Sequence, residues 1–255
     1  MDNNYNKLIN NLESLNLLTI KQYLNSYIDK ANNKEISFID ALYELTNLEL
    51  KFKKERSDRA VITVAHFPFV KRFEDFDFSF QPDLNKEEIL DFKYLRFLDK
   101  TENILFIGMP GVGKTHLAVS TGIEAAVSGK STYFITCNDL CLQLKKAKME
   151  NRLEQRLKHF TSYGLLIIDE IGYLPMDIEA SNLLFQLISK RYEKKSTIVT
   201  SNKPLNKWHE IFGDAVLANA ILDRLLHHSK VITINGPSYR TKDYLLFENA
   251  AARNP

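Results

Sequence analysis

The N-terminal part of the chain carries apolar side chains at the spacing of amphipathic helices. One set lies at Leu8, Leu12 and Leu15 and continues at Ile20, Leu24, Tyr27 and Ala31, and a second set lies at Phe38, Ala41, Leu45, Leu48 and Phe52. Recurrence every three to four residues gives each helix one apolar face, and such a face needs a partner that buries it. The pattern therefore predicts a small all-helical module over residues 1–58.

From Asn103 onward, short apolar runs alternate with helical stretches. The runs lie at Ile104–Ile107, Thr132–Ile135, Leu165–Ile168, Thr197–Thr200 and Val231–Ile234. Continuous apolar strands separated by helices indicate a parallel sheet that is buried on both faces. Residues 101–255 are therefore predicted to form an α/β domain with about five parallel strands between helices.

The segment over residues 59–100 fits neither pattern. It is rich in aromatic residues and contains two prolines: His66, Phe67, Pro68, Phe69, Phe73, Phe76, Phe78 and Pro82. Because so many phenylalanines need burial, we expect an extended linker that lies along the α/β domain, followed by a helix around Lys86–Leu98.

Composition narrows the class of protein. Hydrophobic residues make up 44% of the 255 positions, enough for a core, and the net charge of +2 does not by itself indicate a nucleic-acid-binding protein. The chain lacks both a long apolar run and an N-terminal secretion signal, so we expect a cytoplasmic protein without membrane association. Cys137 and Cys141 are too few for a disulfide framework and are more typical of small buried side chains than of metal ligands.

Residues 108–115 read Gly-Met-Pro-Gly-Val-Gly-Lys-Thr and lie between a buried strand and a helix. The glycines allow the loop backbone to wrap round phosphate oxygens, and the helix N-terminus adds unpaired N–H groups. In such a loop Lys114 reaches the β- and γ-phosphates and the Thr115 hydroxyl binds Mg²⁺. ATP and Mg²⁺ are therefore the predicted cofactors, and the predicted loop contacts are Gly108, Pro110, Gly111, Val112, Gly113, Lys114, Thr115 and His116.

An acidic pair, Asp169 and Glu170, follows the apolar run Leu165–Ile168. Asp169 is predicted to emerge beside the glycine loop, where it holds Mg²⁺ through water. Glu170 is predicted to polarise a water for attack on the γ-phosphate, and this favours hydrolysis over transfer to a small molecule. The alternative for Glu170 is a surface carboxylate at a strand end.

Three further polar residues are candidates for contact with the phosphates. Asn202 follows the run Thr197–Thr200 and can hydrogen-bond the attacking water, or it can simply form a turn. Arg224 either pairs locally with an aspartate or faces a neighbouring subunit, where an arginine can stabilise the transition state. Arg240 is a weaker candidate for phosphate sensing.

Four segments together resemble the motifs of AAA+ ATPases of the initiator and helicase-loader branch. They are Gly108–Thr115, Asp169-Glu170, Thr200-Ser201-Asn202 and Leu222-Asp223-Arg224. Three further segments resemble the IstB-like ATP-binding proteins of insertion sequences. They are the aromatic linker motif, the sequence Gly-Lys-Thr-His-Leu-Ala from Gly113 and the sequence Ile-Gly-Tyr-Leu-Pro from Ile171. The resemblance covers essentially the whole chain.

The resemblance implies a role for each matching residue. It assigns Walker A to Lys114 and Thr115, Walker B to Asp169 and Glu170, the first sensor to Asn202, and an arginine finger to Arg224. A finger that acts on the next subunit implies a homo-oligomer, which forms a ring or an open helix. The resemblance further implies assembly on duplex DNA with ATP and direction of a partner transposase to its target.

Two basic stretches are candidate DNA contacts. The branch carries an extra helix near the DNA path, and here that region holds Lys145, Lys146, Lys148, Arg152, Arg156 and Lys158, opposed by Glu150 and Glu154. The second stretch, at the end of the N-terminal module, includes Lys53, Lys54 and Arg56. Both are open to the alternative of an ordinary solvated helix face. Contacts to phosphates predict little sequence specificity and strong salt dependence.

Only about twenty residues follow Ile234, so we predict no separate C-terminal lid. Because second sensors usually lie in a lid, this departure weakens the assignment of Arg240.

Other functions are compatible with parts of this pattern. The main alternative is a replicative helicase loader of the DnaC or DnaI type, although no cysteine precedes Cys137, which disfavours loaders with a zinc-binding N-terminus. A small-molecule kinase is disfavoured by the acidic pair, Asn202 and Arg224. A nucleotide-binding module without catalysis would follow if Glu170 proved dispensable for turnover.

Overall fold

A computed structural model describes residues 2–242 of the chain. The chain divides into two compact units, Met1–Val61 and the part from Ile62 onward. Within residues 2–242, no helix combines the length and the apolar character that a membrane crossing demands.

The N-terminal unit is helical, as predicted, with α1 at Asp2–Ser14, α2 at Leu18–Asn32 and α3 at Phe38–Val64. Leu12, Ile20 and Leu45 form its small buried core. The buried Glu49 carboxylate accepts hydrogen bonds from the backbone N–H groups of Thr19 and Ile20, at 2.8 and 3.0 Å. Glu49 thereby satisfies two N–H groups at the start of α2 that the helix itself cannot pair.

Helix α3 runs past the predicted start of the linker at residue 59. No glycine or proline interrupts Phe38–Val64, so nothing in the backbone ends the helix at its basic stretch. The helix stops where His66 adopts a left-handed φ of 60° and Phe67 precedes Pro68, a position that disfavours helical backbone. The expectation of extended chain over residues 60–64 was therefore wrong.

The second unit contains the predicted parallel sheet of five strands. The strands are β1 at Asn103–Gly108, β2 at Thr132–Thr136, β3 at Leu165–Ile171, β4 at Ser196–Ser201 and β5 at Ser229–Ile234. Their order is β2-β3-β4-β1-β5, and every pair is parallel. The central strands β1 and β4 are almost entirely buried, as continuous apolar runs predict.

Helices cover both faces of this sheet. They are α4 at Lys86–Asp91, α5 at Arg96–Asp99, α6 at Lys114–Val127, α7 at Cys137–Met149, α8 at Leu153–Ser162, α9 at Ile178–Arg191, α10 at His209–Phe212 and α11 at Ala215–Leu226. Alternate residues of β1 point to opposite faces, so Leu105 and Ile107 join a core with α7, α9 and α11. Ile104 and Phe106 join a second core with α6.

The chain between α3 and β1 packs its aromatic rings into the α6 core. Phe73, Phe76, Phe92 and Phe97 are buried there. The helix predicted over Lys86–Leu98 is broken, because Leu95 adopts a left-handed φ of 57° between a 3₁₀ turn and α5. This segment therefore follows the surface of α6 in short turns rather than as one rod.

A buried arginine joins α8, α9 and β4. Arg191, 1% exposed, donates hydrogen bonds to the carbonyls of Phe160 and Tyr163 at 2.9 Å and of Ser196 at 2.5 Å. Its Nε donates to the Thr197 hydroxyl at 3.1 Å. Burial lowers the pKa of Arg191 to about 9. The guanidinium thus satisfies the end of α8 and the start of β4 together.

Replacing Arg191 by methionine is expected to lower the free energy of unfolding by about 2–4 kcal/mol. The substitution leaves the buried carbonyls that the guanidinium had paired without hydrogen-bond donors. The fluorescence of Trp208, the single and fully buried tryptophan, reports urea unfolding of this unit. Lys190→Met is the matched control, because Lys190 is exposed and forms a surface ion pair with the Glu154 carboxylate at 3.1 Å. Equal losses in the two variants would contradict the bridging role.

Candidate nucleotide-binding site

The glycine loop lies between β1 and α6. Gly111 and Gly113 adopt left-handed φ values of 84° and 101°. A Cβ atom at Gly113 would lie 2.5 Å from the Phe76 ring, and one at Gly111 would lie 2.0 Å from the Ser238 hydroxyl. Both conformation and space therefore require glycine at these two positions.

Lys114 begins α6 and folds back over this loop. Its ammonium donates to the carbonyls of Gly108 and Met109, at 2.7 and 2.8 Å. Burial lowers the pKa of Lys114, whereas the nearby Asp169 carboxylate acts in the opposite direction. The ammonium is thus positioned at the mouth of the loop, where phosphate charge would stabilise it.

Asp169 lies near the end of β3 and is 4% exposed. Its carboxylate accepts hydrogen bonds from the Thr115 hydroxyl at 3.0 and 3.1 Å and from the Thr200 hydroxyl at 2.5 Å. Burial raises the pKa of Asp169, although both hydroxyls oppose that shift. A buried carboxylate beside two hydroxyls is an all-oxygen donor set, which fits Mg²⁺.

Glu170 lies directly after Asp169, at an irregularity within β3. Its φ of 64° is left-handed, and the pairing of β3 with β4 shifts register between Ile168 and Ile171. The Glu170 N–H donates to the Thr200 hydroxyl at 2.9 Å, which holds this conformation. Burial raises the pKa of Glu170, and the Asp169 charge adds to the effect. Strained backbone at such a position is typical of functional sites, and the exposed carboxylate faces the cavity.

Asn202 follows β4 on the other side of Asp169. Its side-chain oxygen is buried and has no hydrogen-bond partner within residues 2–242. A buried acceptor without a donor is costly, by about 1–3 kcal/mol, so it indicates a position that a ligand or water satisfies. The predicted sensor thus lines the cavity, while its side-chain oxygen is buried without a partner.

One cavity of about 470 Å³ joins these groups. The predicted residues that line it are Pro110, Gly111, Val112, Gly113, Lys114, Thr115, His116, Asp169, Glu170, Asn202 and Arg240. Gly108 contributes its carbonyl to the loop. Arg224 is not among the described residues that line this cavity.

The linker forms one wall of the cavity, a role that the nucleotide-binding motifs do not predict. Phe69 and Phe76 pack edge-on against the His116 ring, whose Nε2 lies 2.9 Å from the Arg72 carbonyl. Burial lowers the pKa of His116, which favours the neutral ring. The aromatic spacing of the linker was the available signal, but only the fold places it beside the glycine loop.

The chain after β5 closes the other side of the cavity. The Tyr239 N–H donates to the Gly111 carbonyl at 2.9 Å, and Lys242 pairs with Asp77 at 2.8 Å. The Lys242 ammonium and the Ser79 hydroxyl lower the pKa of Asp77 to about 2. Arg240, between these two contacts, is exposed at the cavity rim.

Arg224 lies on α11 and is half-buried. Its Nη1 donates to the Ala220 carbonyl at 2.9 Å, and its guanidinium lies 4.7 Å from the centre of the Phe185 ring on α9. The side chain is therefore supported by its own helix and by α9, away from the chain's own cavity.

The candidate DNA contacts fall into three groups. Lys145 and Lys148 form ion pairs with Asp177 and Glu179 at the start of α9. Lys146, Arg152 and Arg156 line a groove of about 370 Å³ between α7 and α8. In the N-terminal unit Lys53 lies 3.8 Å from the Glu49 carboxylate, and Lys54 and Arg56 are exposed on α3.

The five-stranded sheet, the glycine loop between β1 and α6 and the acidic end of β3 define a P-loop domain of the AAA+ type. Residues 10–246 match the family model described as IstB-like ATP binding protein. The chain belongs to this family.

Relatives from insertion sequences agree with this assignment. The chain is 53% identical over 249 residues to a protein of Bacillus thuringiensis subsp. berliner described as ATP-binding and belonging to insertion sequence IS232, covering 98% of this chain and 100% of the relative. It is 42% identical over 232 residues to the corresponding protein of IS21 from Pseudomonas aeruginosa, covering 91% of this chain and 88% of the relative.

Solved structures show the same fold. A crystal structure of the DnaC helicase loader has a TM-score of 0.51 at 26% identity, covering 58% of this chain and 87% of that one. DnaA from Aquifex aeolicus, bound to AMPPCP, has a TM-score of 0.56 at 18% identity, covering 66% of this chain and 51% of that one.

Proposed function

We propose that this protein is an Mg²⁺-dependent ATPase that oligomerises on duplex DNA and directs the transposase of its insertion sequence to a target. The observation that carries the catalytic part is the convergence of Lys114, Asp169, Glu170 and Asn202 on one cavity. Membership of a family described as ATP-binding supports ATP as the ligand. We also propose that the linker after α3 acts with residues 101–255 as one nucleotide-binding domain, because linker residues line the same cavity.

Each side chain has a defined task in hydrolysis. The glycine loop and Lys114 bind the β- and γ-phosphates, while Glu170 accepts a proton from the attacking water. Asn202, which lines the same cavity, hydrogen-bonds that water through its side-chain amide and so orients it. Mg²⁺, for which Thr115 and Asp169 provide oxygen ligands, would neutralise phosphate charge.

Arg224 is proposed to complete the site of a neighbouring subunit. Its supported position on α11, outside its own cavity, suits a group that acts across an interface. Contacts of this head-to-tail kind build rings or open helices, and an assembly of either shape can follow duplex DNA. We propose that ATP between subunits closes the assembly and that hydrolysis loosens it.

DNA contact is proposed at the α7–α8 groove. Lys146, Arg152 and Arg156 bring three cations to it against the Glu150 carboxylate. Arg156 is pre-positioned, because its guanidinium lies 4.8 Å from the Phe160 ring. Lys145 and Lys148 are expected to contribute less, since carboxylates of α9 already neutralise them.

The double substitution Lys146→Ala/Arg156→Ala is expected to reduce the slope of log affinity against log salt by about two, one for each lost phosphate contact. Fluorescence anisotropy with two unrelated duplexes at several salt concentrations measures this slope, and both duplexes should respond alike. Lys145→Ala/Lys148→Ala is the control, because it makes the same change in net charge. A control slope reduced as much as that of the groove variant would contradict the assignment.

Helicase loading is the second candidate function, because the fold is similar to that of the DnaC helicase loader. In that case residues 1–58 would hold a replicative helicase, and duplex DNA would leave ATP turnover unchanged. The relatives described as belonging to insertion sequences favour the transposition function. Co-sedimentation with a replicative helicase or with the transposase separates the two.

A further inference from the structure

Two histidines and a glutamate lie together at the edge of the sheet opposite the glycine loop. Glu193 lies in the turn between α9 and β4, and His227 and His228 lie between α11 and β5. All five strands are parallel, and these residues precede β4 and β5, whereas Lys114 follows β1 and Asp169 lies near the C-terminal end of β3. This cluster is therefore separate from the proposed ATPase site.

The three side chains converge closely. Each offers one ligand atom, and these atoms all lie within 4.8 Å of one another. Glu193 Oε1 lies 3.5 Å from His227 Nδ1 and 3.6 Å from His228 Nε2, so one carboxylate oxygen faces both imidazoles. The Glu193 backbone is held at a left-handed φ of 56°, which fixes the turn that presents this carboxylate.

A neighbouring tyrosine supports this arrangement. The Tyr192 hydroxyl lies 2.5 Å from His227 Nδ1, and the two rings stack with centres 5.8 Å apart. The hydroxyl contacts the same nitrogen that faces Glu193, so an ion bound at Nδ1 would displace it, while the stacked rings would still hold the imidazole in place. The three candidate ligands are about half exposed, so water can reach the same point and complete a coordination sphere.

Two imidazoles and one carboxylate form a donor set for borderline transition metals rather than for Mg²⁺ or Ca²⁺. The distances of 3.5 and 3.6 Å from Glu193 Oε1 are close to the separation of neighbouring ligand atoms around one tetrahedral ion with bonds of about 2.0–2.2 Å. We propose that Glu193, His227 and His228 bind one divalent transition-metal ion of the Zn²⁺ class. The ion ties the end of α11, the helix that carries Arg224, to the turn before β4.

The test uses the full chain without a histidine tag, with Mg²⁺ at saturation. Titration with Co²⁺, followed by its visible absorption, is expected to show one ion per chain, and excess Zn²⁺ is expected to raise Tm by about 2–4 °C. His227→Ala/His228→Ala should lose both effects. Glu193→Gln, which keeps the shape of the side chain, should weaken Co²⁺ binding at least about tenfold.

Cys137→Ser/Cys141→Ser is the control for metal binding by the two cysteine thiols. This variant should bind Co²⁺ as the wild type does. Unchanged Co²⁺ binding in the double histidine variant would overturn the proposal, as would the absence of any Co²⁺ binding by the wild type. ATP turnover is not a readout here, so failure of this site leaves the proposed ATPase untouched.

Discussion

Replacing Glu170 by glutamine is expected to lower ATP turnover by about 10²–10⁴-fold while leaving nucleotide binding in place. Glutamine keeps the size of the side chain but cannot accept a proton from water. The phosphate contacts proposed for the glycine loop and for Lys114 do not involve Glu170, so affinity for ATP should survive. Phosphate release at steady state and the binding of a fluorescent ATP analogue measure the two quantities.

Glu179→Gln provides the matched control, because Glu179 is an exposed glutamate of α9 that pairs with Lys148. Its turnover should equal that of the wild type. If Glu170→Gln also retained wild-type turnover, the carboxylate would be an ordinary surface group. The chain would then bind nucleotide without the proposed chemistry.

Substitution of Arg224 by alanine is expected to lower turnover of the DNA-bound assembly by about 10³–10⁵-fold, the range known for arginines that stabilise the transition state. Since Arg224 lies outside its own cavity, each subunit alone should bind ATP normally. The loss should therefore appear in turnover and not in affinity. Tm should be compared as well, because the variant also removes the contact with the Phe185 ring.

A mixing experiment separates action across an interface from action within one subunit. Subunits with Glu170→Gln still carry Arg224, and subunits with Arg224→Ala still carry Glu170. If Arg224 acts on the neighbour, a mixture of the two inactive variants forms some complete sites and regains turnover. A mixture as inactive as its components, or wild-type turnover by Arg224→Ala on DNA, would rule out the proposed role.

The parts of this molecule that follow local patterns were predictable from the sequence. The five strands and the loop with Lys114 each depend on residues adjacent in the chain, and Asp169 was expected beside that loop because parallel strands end at one edge. Thr200 was missed as a partner of Asp169, although it ends β4 at the same edge. The Thr200 hydroxyl reaches Asp169 because β4 pairs with β3, and the periodicity of the sequence does not specify which strands pair.

Long-range packing explains the remaining differences. Phe76 fills the space that a Cβ at Gly113 would need. The two residues lie in different segments of the chain, so local sequence patterns do not predict this contact. Lys145 and Lys148 looked like free cations, yet they pair with carboxylates more than thirty positions away. The break at Leu95 likewise depends on burial of the flanking rings of Phe92 and Phe97 rather than on local propensity.

The proposed function is tested most directly by measuring ATP turnover and particle mass together, with and without nonspecific duplex DNA, at low and moderate salt. We expect that duplex DNA raises turnover, that large assemblies form only with ATP and Mg²⁺, and that both effects weaken as salt rises. A protein that stays monomeric with ATP and duplex DNA, and whose turnover ignores DNA, would contradict the proposed function.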